Sequence, residues 1–317
     1  MGPVLVTGAA GFAGSHLIDR LIAAGDADIV AWRRPGGRSA FARPGPRWRD
    51  VELADREQVI EAVRAARPAV VYHCAGAAQV AGSWADTATP LEINALGTYH
   101  LLEAVRREAP AARVVVVGSA LVYRPSPEPL REEDPLGPRT PYGISKLAQE
   151  MIALHAAAAD GLDVVVARPF NHIGPRQAPT FATASFARQI AAAEAGQGPR
   201  TIAVGNLDAV RDLTDVRDTV RAYELLAARG ACGRPYNVCS GRGCRMQTVV
   251  DRLIAMARVP LELHVDPARV RPADEPVVVG DPGRIEQEIG WRAEIPLDRT
   301  LEDLLEYWRE AVRREAR

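Results

Sequence analysis

The chain has 317 residues, 47% of them apolar and 25% charged, with a formal net charge of −1. That length supports one large domain or two smaller ones with a real core, and the near-neutral charge gives no footing for nucleic acid or an anionic membrane. No run of roughly 20 uninterrupted apolar residues exists to span a membrane. The first residues, GPVLVTGAAGFAGSHL, show no basic leader, and Cys74, Cys232, Cys239 and Cys244 form no C-x-x-C pair. No histidine pair stands at metal-ligand spacing. The expectation is a cytoplasmic protein with free thiols and no metal site.

Short apolar runs alternate with helix-like stretches along the first half. Val4-Leu5-Val6 is a strand, and a helical pattern follows to about Ala24. DIVAW at 28–32 is a strand, Asp55 to Ala66 a helix, and AVVYHCAG from 69 a strand. NALGTYHLLEAVRREA is a helix, RVVVVGS at 113–119 a strand, and Tyr142 opens a helix to about Ala158. DVVVARPFN at 163–171 is again a strand. Strands that are apolar throughout, separated by helices, predict an α/β fold: a doubly wound parallel sheet covered on both faces. After residue 171 the pattern becomes helices joined by Pro- and Gly-rich connections such as PRQAP, which predicts a smaller, mixed α/β region.

The first strand runs into Thr7-Gly8-Ala9-Ala10-Gly11-Phe12-Ala13-Gly14. A glycine turn between strand and helix lets backbone N–H groups approach a pyrophosphate, and the helix start adds partial positive charge. Residues 1–170 therefore read as a Rossmann-type dinucleotide-binding domain, with parts of 205–240 returning to it, and 171–317 as mainly substrate-binding. The second strand ends at Arg33 and Arg34, with no carboxylate to hold a ribose 2′-hydroxyl. Two guanidinium groups suit a 2′-phosphate, which favours NADP(H) over NAD(H).

Three further residues are candidates for acid–base chemistry. Ser119 ends a strand, where parallel sheets place function, and Tyr142 and Lys146 share a helix face at i and i+4. Reducing a carbonyl requires a proton on its oxygen. A free tyrosine titrates near 10, and a neighbouring ammonium favours its phenolate; serine is an uncharged donor for the substrate oxygen.

The T-G-x-x-G-x-x-G turn and the Ser119, Tyr142, Lys146 set resemble the extended short-chain dehydrogenase/reductase family. The resemblance implies cofactor contacts from Gly8, Gly11, Phe12, Ala13, Gly14, Arg33 and Arg34. It adds Asp50 and Val51 at the adenine, Ala75, Gly76 and Ala77 beneath the cofactor, and Asn94, Tyr142, Lys146 and Pro169. RPFNHIGPRQ, VGNLDAVRDLTDVRDTVRAY, YNVCSG and RVRPADEP resemble the members that reduce GDP-linked 4-keto-6-deoxyhexoses. This implies a GDP-sugar substrate held by Ser83, Ser119, Tyr142, Asn171, Arg188, Gln189, Arg211, Arg271 and Asp274. Ala120 and Leu121 stand where 4,6-dehydratases of the family often carry acids, which argues against dehydration.

The implied reaction is NADPH-dependent reduction of the sugar 4-keto group. The alternatives are a 4-epimerase with tightly bound NAD, and a nucleotide-binding regulator that has lost its chemistry. His172 reads as a hydrogen-bonded structural histidine and Tyr123 as either a sugar contact or packing. Two positions depart from the usual glycine, Arg124 and Arg176. The family further implies a homodimer through helices near Leu96 and Tyr142.

Overall fold

The computed structural model describes residues 2–25, 28–37, 44–78, 82–269 and 275–315. Its centre is a seven-stranded sheet in the order β10-β6-β5-β4-β1-β2-β3. The strands are β1 (Val4–Thr7), β2 (Ile29–Arg33), β3 (Arg47–Asp50), β4 (Val70–His73), β5 (Arg113–Val117), β6 (Asp163–Pro169) and β10 (Pro235–Val238). Every neighbouring pair is parallel. The central residues of β5, Val114, Val115 and Val116, are wholly buried, as an inner strand covered on both faces requires.

One face of the sheet packs on α2 (Arg56–Ala66), α4 (Gly97–Glu108) and α5 (Pro141–Asp160). The other packs on α1 (Phe12–Ala23), α7 (Val216–Arg229) and α9 (Gly283–Ile289). Local chemistry sets the ends of α5. The Thr140 hydroxyl accepts from the Gly143 N–H at 3.0 Å, Pro141 occupies the first turn, and Gly161 closes the helix in the left-handed region at φ 69°. A single turn, α3 (Ala88–Pro90), and a π-helical turn, Leu91–Leu96, lead directly into α4. Such widened turns recur at functional positions, and this one carries Asn94.

The C-terminal half contributes β7 (Asn171–Ile173), β9 (Val210–Asp215), β11 (Gly243–Arg245) and β13 (Val277–Val278), gathered around β9. A parallel pair, β8 (Thr201–Val204) and β12 (Glu262–Val265), lies apart from it. Helices α6 (Ala182–Glu194), α8 (Met246–Ala255) and α10 (Leu297–Glu315) enclose a separate apolar core with Ile202, Val204 and Trp308.

Two sequence expectations change here. The strand read over 163–171 is two strands in different sheets. The chain leaves the central sheet after Phe170, whose N–H still bonds the Val238 carbonyl at 3.0 Å. The return of the C-terminal half also reaches beyond 205–240, because Ile285, Ile289 and Trp291 share the core of α1 and α7.

Candidate active site

The glycine turn is shaped by contact. Gly8 has φ 65°, and a Cβ there would stand 2.6 Å from the Ala75 nitrogen. A Cβ on Gly14 would meet the Gly8 carbonyl oxygen at 2.2 Å. Only glycine fits either place. Gly11, by contrast, is exposed and begins α1 with no side-chain cap and no acidic residue in the first turn. The helix start is thus left open to an anion, as a dinucleotide pyrophosphate requires. Phe12 and Ala13 follow it, half-buried.

At the edge of the sheet, β2 and β3 set Arg33 opposite Asp50. Arg33 Nε donates to Asp50 Oδ1 at 2.6 Å, and its guanidinium lies 5.9 Å from the Trp48 ring centroid. Val51 is buried behind them, its N–H on the Arg33 carbonyl at 2.9 Å. Arg33 is therefore engaged by a carboxylate and an aromatic face. Arg34 is exposed beside it.

Ser119, Tyr142 and Lys146 are buried together where β5 meets α5. Burial pushes the Tyr142 hydroxyl up to about 12, and its interaction with the Ser119 hydroxyl pulls the other way. Ser119 also accepts the Leu121 N–H at 3.1 Å. Burial lowers Lys146 to about 8. Its ammonium donates to the Val117 carbonyl at 2.8 Å and to Gln149 Oε1 at 2.7 Å. In this arrangement the counterweight to burial at Tyr142 is the serine, not the lysine.

Asn94 ties the centre to the loop that follows β4. Its Oδ1 accepts the Ala77 N–H at 2.8 Å, and its Nδ2 donates to Ser145 Oγ at 2.9 Å, which donates to the Tyr142 carbonyl at 2.7 Å. A Cβ on Gly76 would come within 2.7 Å of Asn94 Oδ1. Pro169 closes this side, buried at the end of β6.

The expected substrate residues divide. Asn171 on β7 and Arg211 on β9 lie on neighbouring strands, Asn171 paired with Leu213 in register. Arg211 Nη1 also donates to the Val210 carbonyl at 2.9 Å. Ser83 is buried in a turn packed against α5. Arg188 pairs with Glu315 at 3.2 Å and lies 5.8 Å from the Trp308 ring, facing α10. Gln189 uses its amide on both backbone groups of Ala203, at 2.8 and 3.2 Å, bracing α6 to β8. A guanine contact from either would require these bonds to open. Arg271 and Asp274 lie outside the described residues.

Tyr123 faces inward. Its hydroxyl accepts from Arg168 at 2.6 Å and donates to Asn237 at 2.7 Å. His172 stacks on Phe12 with centroids 5.6 Å apart, and its Nδ1 donates to the Phe170 carbonyl at 3.2 Å. Burial lowers its pKa, so it stays neutral. Arg176 stands at φ 72°, which explains a preference for glycine there, and its guanidinium pairs with Asp19 on α1. Arg124 lines a surface concavity of about 600 Å³ with Arg131 and Asp281. It also borders a smaller cavity walled by Ala120, Leu121 and Thr140.

Four residues were not singled out from sequence: Thr7, His73, Thr98 and Gln149, all essentially inaccessible and hydrogen-bonded in a chain to Lys146. One signal was available for Gln149, which stands at i+3 from Lys146 on the same helix. Lys146 is also the single lysine of the chain; every other basic residue besides histidine is arginine. Arginine cannot give up its charge and presents a broad fork, where this site holds a compact ammonium. Among the described residues no cluster suits a metal ion, and no helix is long and apolar enough to cross a membrane.

A family model for GDP-mannose 4,6 dehydratase matches residues 5–304. A GDP-6-deoxy-D-mannose reductase from Pseudomonas aeruginosa is 39% identical over 251 residues, covering 78% of this chain and 83% of that protein. The solved structure of RMD from Pseudomonas aeruginosa complexed with NADPH superposes with a TM-score of 0.86 at 34% identity, over 98% of this chain and 100% of the other. A Thermus thermophilus UDP-glucose 4-epimerase in complex with NAD reaches a TM-score of 0.87 at 30% identity, over 98% and 99%.

Proposed function

We propose that this chain, which belongs to the GDP-mannose 4,6-dehydratase family of extended short-chain dehydrogenase/reductases, reduces the 4-keto group of a GDP-linked 6-deoxyhexose with NADPH. The product from GDP-4-keto-6-deoxymannose is GDP-D-rhamnose. The observation that carries the reading is the acid–base equipment at the strand end. One phenol, one serine and one ammonium are buried together, and Ala120 and Leu121 supply no carboxylate beside them. That set protonates one oxygen; eliminating water across a C–C bond needs a further acid and base.

The open start of α1, Gly8, Gly14 and the Ala75–Ala77 loop would hold the dinucleotide, with Arg33 and Arg34 at its adenosine end. When bound, the reduced nicotinamide supplies the hydride. Ser119 donates to the carbonyl oxygen, and Tyr142 gives that oxygen its proton. The phenolate left behind is costly in a buried site; the Ser119 hydroxyl stabilises it directly, and the Lys146 ammonium, one helical turn away, would add to the field once the cofactor is bound. Asn171 and Arg211 offer a donor and a cation to a nucleotide diphosphate.

Supplying GDP-4-keto-6-deoxymannose and following the absorbance of the reduced cofactor tests the reading. No consumption with NADPH or NADH removes it. The Arg33–Asp50 pair supports a second reading, an NAD-retaining 4-epimerase, because the carboxylate dilutes the cation's claim on a 2′-phosphate. Tightly held NAD after purification, with no net cofactor turnover, selects that reading.

The enzyme reads as a cytoplasmic homodimer. Leu91, Leu96 and Tyr99 on the π turn and α4, with Ile144 and Met151 on α5, are 44–63% exposed. Two such helices from each copy would bury this apolar surface against itself. A monomer by sedimentation at micromolar concentration removes the dimer.

A further inference from the structure

Lys146 is held by neutral oxygens, and the path behind them has one direction. Gln149 Oε1 accepts from Lys146 at 2.7 Å, and Gln149 Nε2 donates to Thr98 Oγ1 at 2.9 Å. Thr98 has one hydroxyl proton, and it goes to the Asn94 carbonyl at 2.6 Å. His73 Nε2, 2.8 Å from the same hydroxyl, must then be the donor. Its Nδ1 is left as an acceptor, filled by the Thr7 hydroxyl at 2.8 Å. Thr7 in turn accepts the Ala75 N–H at 3.2 Å. The buried array runs from the two loops that bracket the dinucleotide site to the lysine.

This wiring fixes the orientation of one amide. With its one proton committed to Asn94, Thr98 can only accept from Gln149, so Gln149 turns its NH₂ toward it and its oxygen faces Lys146. A reversed amide would set N–H against ammonium. We propose that Gln149 is a positioning residue for Lys146, locked by Thr98 and His73, and that it holds the lysine as a donor in its ammonium form. The proposal rests on Lys146 serving the reaction centre described above.

No anion among the described groups facing Lys146 competes for this role. Tyr142 on α5 and Cys74, just after β4, are kept protonated by burial, both pushed up to about 12. His73 from β4 is kept neutral, lowered to about 3 by burial and by Lys146 itself. From β5 comes the Val117 carbonyl, and from the π turn the Asn94 amide. Glu150, next on α5, is turned to Arg168.

Because the chain has a single lysine, ¹⁵N-lysine labelling gives one side-chain amine signal to titrate in the cofactor-free enzyme. The expected midpoint lies near 8 in the wild type. It moves to lower pH in Gln149→Leu and to higher pH in Gln149→Glu, opposite shifts that a merely structural role would not produce. In Gln149→Leu, kcat for the 4-keto sugar falls about 10- to 100-fold while its KM stays within about twofold. Thr98→Ser retains wild-type behaviour, and Thr98→Val follows Gln149→Leu. Equal midpoints in the two Gln149 variants, or a fall in Tm with kcat intact, overturn the proposal. If Gln149→Leu does not fold, an unmoved midpoint in Gln149→Glu is the overturning result. A wild type that reduces no GDP-4-ketohexose removes the assigned substrate, while the titration still decides the role of Gln149.

Discussion

Gln149 and Glu150 are neighbours on α5, yet they open onto networks of opposite character. Behind Gln149 lies the neutral array through Thr98 and His73, with Lys146 as its one cation. Behind Glu150 lies a buried ion pair: both its carboxylate oxygens accept from Arg168, at 2.9 and 2.5 Å. Arg168 continues to the Tyr123 hydroxyl and the Glu132 carbonyl, and Tyr123 to Asn237 on β10. The first network leaves a lysine poised near neutrality; the second closes its charges on one another and clamps β6, β10 and the 130–132 segment. A carboxylate four residues from the Lys146 ammonium leaves that lysine in neutral company only because a guanidinium fully occupies it.

Removing the proposed proton donor, which stands beside the first network, gives the largest effect and should leave the second intact. Tyr142→Phe lowers kcat by about 10²- to 10⁴-fold in the cofactor-absorbance assay, with Tm close to wild type. Breaking the second network does the reverse. Glu150→Gln leaves Arg168 a buried, uncompensated cation and costs about 3–5 kcal/mol in denaturant unfolding. Both partners are within a few percent of complete burial, so water cannot rescue it.

The two networks also separate by pH. Lys146 is lowered to about 8 by burial, so its ammonium is complete below that value and lost as pH rises through it. The kcat/KM for reduction should fall about tenfold per unit above that midpoint. For stability the sign is opposite: the folded state favours the neutral lysine, so this group's contribution is complete above lysine's ordinary value and declines as pH falls toward about 8. The smallest change is at the exposed rim, where Arg33→Ala raises the KM for NADPH about fivefold and leaves that for NADH unchanged. Equal changes for both cofactors would place the 2′-phosphate elsewhere.

The sequence reading succeeded where one segment carries its own signal. The valines of β5, the Pro141 start of α5 and Gly14, whose Cβ would strike Gly8 in the same turn, each carry their signal within one segment. It missed β3, whose Arg-Trp-Arg-Asp has neither an apolar run nor alternation because it is a half-exposed edge strand. It could not see that Gln149 meets Thr98, 51 residues away, since only the completed sheet brings α4 and α5 together. Arg188 and Gln189 show the converse: a matching segment marked them, and the structure engages both in packing contacts.

The solitary lysine has a practical corollary. Acylating and aldehyde reagents that normally decorate lysines at a protein's surface meet none here, because the one lysine is 5% exposed, between α5 and the end of β5. The outer positive charge is carried by guanidinium groups, which keep it in strong alkali. Conjugation or resin coupling aimed at lysine side chains should therefore leave both the shell of ion pairs and the interior amine untouched.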